Sequence, residues 1–155
     1  MTPAINVLKK AKVDYTLHEY IHDSQNQSYG LEAANKMGVH ESRVFKTLIV
    51  SVESNLLVVA VLPVSSMLSM KLIAKSVGAK RASMADALDV ERSTGYVLGG
   101  VSPLGQKKKL KTIIDSSAEN FSTIYISAGR RGLEIELNPY HLKNLTCGTF
   151  VDISQ

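Results

Sequence analysis

Two apolar runs rich in β-branched residues, at positions 44–52 and 56–62, are the strongest feature of the hydrophobic pattern. A polar triplet at 53–55 separates them, so the two runs are predicted to pair as a β-hairpin. A second hairpin is predicted around residues 129–132, because two short apolar segments flank these turn residues. Shorter strands are predicted at residues 14–20, 112–115, 123–127, 133–137 and 149–153.

Helix start and stop signals predict five helices between these strands. Thr2 followed by Pro3 is typical of an N-cap and a first helical residue, and Gly38 is typical of a C-terminal end. Ser83 and Asp86 have the spacing of a capping box, which predicts that a helix opens there. The predicted helices cover residues 3–12, 30–37 and 69–78, with one more opening at 83–86 and one at 138–139.

Strands and short helices follow one another without a regular strand–helix–strand rhythm. This order predicts an α+β or mixed α/β fold with a largely antiparallel or mixed sheet. A length of 155 residues, without a linker, a low-complexity tract or an internal repeat, predicts a single domain over residues 1–155.

Composition excludes several classes of protein. No stretch is apolar enough to span a bilayer and the start has no apolar signal core, so a cytoplasmic location is expected. The one cysteine, Cys147, permits no internal disulfide and suits a reducing compartment. A formal charge of +4 is weak evidence for a nucleic-acid partner. With no tryptophan and three phenylalanines, an aromatic platform of the single-strand-binding type is not expected.

A glycine-rich loop is the first candidate binding element. Four glycines and Pro103 lie within residues 95–105, and the pair Gly99-Gly100 follows an apolar stretch. Without Cβ atoms such a loop can offer its backbone N–H and C=O groups to a polar ligand. The alternative is an ordinary tight turn. Four lysines follow the loop directly and would give it a phosphate-friendly rim: Lys107, Lys108, Lys109 and Lys111.

Lys46 is the one cation inside the first apolar run. By the two-residue period of a strand, its side chain shares a face with Val44, Leu48 and Val50. A lysine on a buried face is costly unless it is paired or faces a cavity. From the residues alone, a cavity-facing Lys46 and a solvent-facing Lys46 are equally good interpretations.

Three motifs together resemble those of the YbaK-type aminoacyl-tRNA deacylases, free-standing relatives of the editing domain of bacterial prolyl-tRNA synthetases. They are VFKT at 44–47, STGY at 93–96 and GGVSPLGQ at 99–106. The resemblance extends over the whole chain, through HEYIHD at 18–23 and SAGRRGLEIEL at 127–137. It implies a curved, barrel-like mixed sheet with helices packed around it.

The resemblance also assigns candidate site residues. Lys46 matches the lysine that these deacylases need for activity, and would bind the terminal adenosine phosphate or polarise the ester carbonyl. The loop Gly99, Gly100, Ser102 and Pro103 matches the Gly-x-x-x-Pro motif whose backbone holds the 3′-terminal nucleotide and the aminoacyl group. Pocket-lining positions of relatives fall on Tyr20, Ser127 and Glu134, the last being aspartate in close relatives. Tyr20 can equally be a core residue, and Ser127 a plain strand-end serine.

Basic residues near the loop form a second candidate group. Arg130 and Arg131 are predicted at the tip of a neighbouring hairpin, and the four lysines follow the glycine loop. A track for the tRNA acceptor stem is one interpretation of these charges. A solvated face that only favours solubility is the other.

The function implied by the resemblance is hydrolysis of mischarged Cys-tRNA(Pro). The substrate's own thiol would attack the ester, and prolyl-tRNA synthetase would be a partner. A deacylase for Ala-tRNA(Pro) or another small amino acid, and a non-catalytic module that binds tRNA or a synthetase, are the alternatives.

Other chemistries lack support in the sequence. No G-x-S-x-G elbow or phosphate-binding P-loop is present, and Cys147 has no neighbouring motif of a cysteine nucleophile. His18 and His22 are four apart, but on a strand and loop this spacing does not converge on a metal. No metal and no cofactor are therefore predicted.

Overall fold

The structure is a computed structural model that describes residues 1–155, the side chain of Ser54 apart. The described residues form five α-helices: α1 (Pro3–Ala11), α2 (Tyr29–Met37), α3 (Met70–Ser76), α4 (Ala87–Thr94) and α5 (Pro139–Thr146). They also form eight strands: β1 (Tyr15–Glu19), β2 (Phe45–Val52), β3 (Leu56–Pro63), β4 (Ala82–Met84), β5 (Lys111–Asp115), β6 (Ile124–Arg130), β7 (Leu133–Leu137) and β8 (Thr149–Val151). None of the described helices has the length and apolar character needed to cross a lipid bilayer.

The strands form two sheets. One has three antiparallel strands in the order β1-β7-β6, and the other has five in the order β4-β2-β3-β5-β8. In the larger sheet β4, β2 and β3 are antiparallel, whereas β3, β5 and β8 are parallel. The α+β prediction is confirmed. The strands divide into two sheets and do not close into one barrel.

Most local signals act as the sequence predicts. The Thr2 side chain accepts a hydrogen bond from the Ile5 N–H at the start of α1, and Asn138 caps α5 through the Tyr140 N–H. Gly38 ends α2 in the left-handed conformation that a Cβ disfavours. Both predicted hairpins, β2–β3 and β6–β7, are formed.

The predicted capping box at Ser83 and Asp86 is wrong. Ser83 lies in β4, where it pairs with Ser51 of β2 at the edge of the larger sheet. Asp86 itself is the N-cap residue of α4. The spacing alone could not reveal that the first residue of the motif is held extended by strand pairing.

The alternation of β2 divides its side chains between two packed layers. Phe45 and Ile49 belong to the main core, between the sheets and helices α1 and α5. Leu48 and Val50 face the opposite side, with the cluster that packs α3 against the larger sheet. Lys46 lies two residues before Leu48, so it is on the same face of β2 as Leu48 and Val50, as its sequence position predicts.

A divergence between β2 and β6 creates the space for a site. Besides packing through the main core, the two sheets are joined by one isolated parallel β-bridge, between Val44 and Tyr125. Beyond it, β4 covers only residues 50–52 of β2, so residues 45–48 have β3 on one side and no described strand on the other. The gap that opens there is the feature around which the candidate site is built.

Candidate active site

A cavity of 410 Å³ fills the gap between the two sheets. Val44 and residues 45–48 of β2 line one side of the cavity, and residues of β6 and β7 line the other. The start of α2, the loop before Val101 and the β6–β7 turn complete it. The residues predicted from the sequence that line it are Tyr20, Lys46, Gly99, Ser127, Arg130, Arg131 and Glu134.

Lys46 contributes an ammonium group to the part of the cavity next to β2. Its Nζ donates a hydrogen bond to the backbone carbonyl of Ser66, at 2.7 Å, in the segment that follows β3. Burial lowers the pKa of Lys46, because the charged ammonium loses part of its hydration. Lys46 forms no salt bridge among the described residues. The Ser66 carbonyl orients its ammonium group without neutralising the charge, which remains available to a ligand. Of the two interpretations left open by the sequence, the structure shows the cavity-facing one.

Glu134 places a carboxyl group in the same cavity. It lies on β7 opposite Ser127 of β6 and His18 of β1, and only 7% of it is exposed. Desolvation by burial raises the pKa of Glu134 to about 8. Its carboxyl group has no hydrogen-bond partner among the described residues. A buried carboxyl group without a partner is costly, and such groups occur where a ligand supplies the missing partner.

Tyr20 lies beside this carboxyl group at the end of β1. Its backbone N–H donates to the Gly132 carbonyl, at 3.0 Å, which ties the end of β1 to the β6–β7 turn. Burial, together with the negative charge of Glu134, raises the pKa of Tyr20 to about 12. The phenol therefore stays protonated and can donate a hydrogen bond into the cavity.

The segment after Tyr20 is fixed by a buried charge on α2. Glu32 is 3% exposed and contacts His22 at 2.6 Å, the Asp23 N–H at 2.8 Å and Lys36 at 3.1 Å. Burial alone would raise the pKa of Glu32, but the hydrogen bonds from Asp23, His22 and Lys36 lower it to about 2. The start of α2 is thereby held against the cavity.

The rim of the cavity is formed by the glycine loop packed on the β6–β7 turn. Gly99 has φ +89°, and a Cβ there would lie 2.5 Å from the Arg131 guanidinium and 2.7 Å from the Tyr29 ring. Arg131 lies over the Tyr29 ring, 4.0 Å from its centroid, and donates to the Leu98 carbonyl at 3.1 Å. The left-handed backbone angle favours glycine at position 99, and an added Cβ would displace the Arg131 and Tyr29 side chains.

Among the described residues, no nucleophile–base pair lines the cavity. The Ser127 hydroxyl accepts a hydrogen bond from the Gly129 N–H at 3.1 Å, and none of the lining residues is a histidine or a cysteine. Cys147 is exposed at the end of α5 and does not line the cavity. The site can therefore bind and polarise a substrate, but it offers no activated protein nucleophile.

The sequence profile of one family, described as the aminoacyl-tRNA editing domain, matches residues 26–145. The chain belongs to the aminoacyl-tRNA editing domain family. The general activity of the family, hydrolytic removal of an amino acid from a charged tRNA, agrees with a cavity that positions an ester without a protein nucleophile. The predicted resemblance to this family is confirmed.

One relative and two solved structures are similar to this chain over nearly its full length. The chain is 37% identical over 153 residues to an Enterococcus faecalis protein named "Putative Cys-tRNA(Pro)/Cys-tRNA(Cys) deacylase EbsC", covering 99% of this chain and 93% of that one. The crystal structure of hypothetical protein APE2540 matches with a TM-score of 0.87 and 25% identity, covering 99% of both chains. A "putative trans-editing enzyme for prolyl tRNA synthetase" shares the fold, with a TM-score of 0.85, 18% identity and coverage of 99% and 95%.

Three loop residues predicted to bind the substrate do not line this cavity. Ser102 is fully buried and its hydroxyl accepts the Leu104 N–H at 3.2 Å, and Pro103 lines a separate cavity of 270 Å³. Gly100 is buried against the hairpin, where a Cβ would lie 3.2 Å from the Arg130 Cα. In this editing domain these residues shape the loop that presents Gly99, and a direct contact with substrate stays a prediction.

The predicted basic residues separate into two groups. Arg130 and Arg131 lie at the rim of the large cavity. The four lysines are exposed, and two of them, Lys108 and Lys109, line the smaller cavity instead. Lys107 packs its methylenes near Gly95, 3.5 Å from the position of an added Cβ. Contact of the lysines (Lys107, Lys108, Lys109 and Lys111) with tRNA stays a prediction.

Several lining residues were not predicted from the sequence. Tyr29, Thr47 and Leu98 all line the cavity, and the Thr47 hydroxyl is buried without a hydrogen-bond partner among the described residues. Thr47 and Leu98 are the chain neighbours of Lys46 and Gly99, so proximity along the sequence could have found them. Tyr29 opens α2 outside the quoted motifs, and no local signal indicates it.

Gly99→Ala is expected to lower deacylation at least about tenfold and to destabilise the protein by roughly 1–3 kcal/mol, since the Cβ meets both a strained φ and the Arg131–Tyr29 contact. Gly38→Ala is the matched control, because φ is +69° there and nothing lies within 4 Å of an added Cβ. The free energy of unfolding, from chemical denaturation, and the deacylation rate are measured for both variants. Equal effects of the two substitutions on both measurements would show that the contact at Gly99 is unimportant.

Glu134→Gln is expected to reduce the loss of stability between pH 5 and pH 8. The pKa of Glu134 is raised to about 8, so the folded state keeps a proton that the unfolded chain releases as the pH rises above about 4.5. The parent therefore loses unfolding free energy over this range, by an estimated 2–4 kcal/mol, and the glutamine variant lacks that loss.

Glu136→Gln is the control for this measurement. Glu136 lies two residues along the same strand, where the hydrogen bond from Thr123, and then His18 and Arg43, lower its pKa against the effect of burial. Its loss should destabilise the protein at neutral pH. A parent and a Glu134→Gln variant with the same pH profile in thermal unfolding would contradict the assigned environment of Glu134.

Proposed function

We propose that this editing domain removes cysteine from mischarged Cys-tRNA(Pro). The observation that carries the proposal is a cavity lined by both Lys46 and Glu134, with no histidine or cysteine among its described lining residues. The E. faecalis relative, 37% identical over nearly the full chain, is named "Putative Cys-tRNA(Pro)/Cys-tRNA(Cys) deacylase EbsC", which supports cysteine as the amino acid that is removed.

The ester of an aminoacyl-tRNA is already activated, so the site has to position it and to stabilise the oxyanion that forms. Lys46 is the group that would polarise the carbonyl, because its ammonium is oriented by Ser66 and has no carboxylate partner among the described residues. Glu134 and Tyr20 would receive the α-amino group. An ammonium beside Glu134 would supply the missing partner of that buried carboxyl group.

The nucleophile in this proposal is the thiol of the charged cysteine. Its sulfur attacks the carbonyl carbon of its own ester, and the bond from that carbon to the ribose oxygen breaks. The ribose oxygen leaves with a proton, and water opens the resulting cyclic thioester to free cysteine. No group of the protein is consumed in these steps. The requirement for a thiol would give specificity without a tightly fitted pocket.

Selection of the tRNA needs contacts outside the cavity. We propose that the exposed lysines at positions 107–111 contact the acceptor stem, and that prolyl-tRNA synthetase contributes to recognition of tRNA(Pro). Synthetase pockets cannot reject a similarly sized amino acid by more than a few kcal/mol, which creates the need for hydrolysis at a second site.

A panel of Cys-, Ala-, Ser- and Pro-charged tRNA(Pro), incubated with the protein, tests the proposal. Release of cysteine well above the other amino acids is expected. Preferential release of alanine would show that Ala-tRNA(Pro), and not Cys-tRNA(Pro), is the substrate. Turnover of none of the four would indicate a non-catalytic binding module.

Lys46→Ala is expected to leave the protein folded and to lower deacylation of Cys-tRNA(Pro) by about 100-fold or more, a typical cost of losing one stabilising group at an oxyanion. Cys147→Ser is the control and should keep the parental rate, because Cys147 lies outside the cavity. Single-turnover rates of the parent and both variants are compared, and circular dichroism checks that each variant is folded. A fully active Lys46→Ala variant, or an inactive folded Cys147→Ser variant, would refute the assigned roles.

Ser-tRNA(Pro) is expected to be hydrolysed at least about 100-fold more slowly than Cys-tRNA(Pro). The serine hydroxyl is smaller than the thiol and enters any pocket that admits cysteine, but it is a much weaker nucleophile. An enzyme-activated water would instead treat the two esters within about tenfold, the effect of 1.4 kcal/mol in binding. Comparable single-turnover rates would exclude the thiol mechanism and leave Lys46 as the organiser of a water attack.

A further inference from the structure

The smaller cavity, of 270 Å³, takes no part in the proposed reaction. Its lining comes from α1, from residues 103–106, from the stretch that leads into β5 and from the last turn of α5. The glycine loop reaches both cavities, because Gly99 lines the large one and Pro103 the smaller one. Four residues of extended chain span at most about 14 Å, so the two cavities are close neighbours.

The segments around the smaller cavity carry charge of one sign. Residues 1–13, 95–114 and 138–151 contain eight of the chain's 18 lysines and arginines and none of its 14 acidic residues. Lys108 and Lys109 line the cavity, and neither takes part in a salt bridge among the described residues. A concave surface bordered by cations and without carboxylates attracts an anion.

Backbone donors are available in the same lining. The N–H groups of Gly105, Gln106 and Lys109 have no hydrogen-bond partner among the described residues. By contrast, the N–H groups of Lys107 and Lys108 donate to carbonyls of α4, at 3.0 and 2.9 Å. Free backbone N–H groups next to lysines are a combination that binds phosphate groups in proteins.

The rest of the lining is apolar or already bonded. Val7, Leu110 and Leu145 contribute aliphatic surface. The hydroxyl groups of Thr112 and Thr146 donate to backbone carbonyls, at 3.2 and 2.8 Å. An aliphatic wall beside cationic and N–H donors suits a phosphate that carries an organic group, because the wall can pack against the carbon atoms of that group.

We propose that the smaller cavity binds a phosphate group through Lys108, Lys109 and the free N–H groups of the lining. The position favours a backbone phosphate of the tRNA acceptor strand beyond the terminal nucleotide, since this strand must pass the glycine loop. For that source the inference rests on the proposed function, and it makes Lys108 and Lys109 the important pair among the four lysines. A small phosphorylated molecule offers the same chemistry and is the other source.

Two double variants of equal charge test the role of the pair. Lys108→Gln/Lys109→Gln removes the two cavity-lining lysines, and Lys107→Gln/Lys111→Gln removes two exposed lysines that do not line the cavity. The Kd for uncharged tRNA(Pro) is measured by fluorescence anisotropy over a series of salt concentrations. Circular dichroism checks folding, which both variants should retain because all four side chains are exposed.

Lys108→Gln/Lys109→Gln is expected to weaken tRNA binding about tenfold and to reduce the slope of log K against log salt concentration by about 1, the effect of losing one phosphate contact. Lys107→Gln/Lys111→Gln should stay within about twofold of the parent. Equal losses in the two variants would show a diffuse electrostatic effect and overturn the tRNA as the source of the phosphate.

Nuclear magnetic resonance of the isotope-labelled protein tests the cavity itself. Titration with inorganic phosphate or with tRNA(Pro) is expected to shift the N–H signals of Gly105, Gln106 and Lys109 together and to saturation. The shifts should be lost in Lys108→Gln/Lys109→Gln and kept in the control variant. Shifts with inorganic phosphate alone would support a small phosphorylated ligand. Absence of saturable shifts with both probes overturns the phosphate site.

These measurements use uncharged tRNA, so they separate the phosphate site from the proposed function. If the aminoacyl panel rejects cysteine while tRNA binding still depends on Lys108 and Lys109, the site stands and only the proposed substrate fails. If cysteine is released as expected while neither probe reaches the smaller cavity, the proposed function stands and the phosphate site fails.

Discussion

The site depends on the separation of β2 from β6 beyond the bridge between Val44 and Tyr125. Continued pairing there would bring the two strands to ladder distance and leave no room between them. Because the pairing stops, residues 45–48 of β2 border a cavity of 410 Å³ instead of another strand. The two packed layers on either side of the larger sheet hold β2 in place beside the gap.

The electrostatics of the cavity have a cost in stability. Glu134 is buried without a partner and Lys46 is turned into the same space, and neither arrangement helps the protein to fold. Glu32, 3% exposed on α2, shows the opposite case, since three donors satisfy it and its pKa falls to about 2. The two buried glutamates thus differ in whether hydrogen-bond donors compensate their burial. A substrate that carries an ammonium group and a polarised carbonyl would satisfy both groups of the cavity at once.

The glycine loop acts on the site through packing. Gly99 lies at the rim against Arg131 and Tyr29, whereas Ser102 and Pro103 turn away into the core and towards a second cavity. The Tyr96 hydroxyl donates to the Leu104 carbonyl at 2.6 Å and so ties the two ends of the loop together. The loop, the β6–β7 turn and α2 are therefore one mechanical unit around the rim of the large cavity.

The sequence by itself determined the local features of this protein. Thr2, Asn138 and Gly38 mark helix ends through bonds within a few residues, and the period of two along β2 assigns Lys46 to a face, so both features could be predicted. The motifs around Lys46 and Gly99 also indicated the editing family. Only the tertiary structure decided which residues meet. Strand pairing at the sheet edge kept Ser83 extended, the end of pairing between β2 and β6 opened the cavity, and packing brought Tyr29 to Arg131 across 102 positions of the chain. The environment of Glu134 belongs to this second group, because a pKa depends on the groups that surround a side chain in space, and a linear pattern does not specify them.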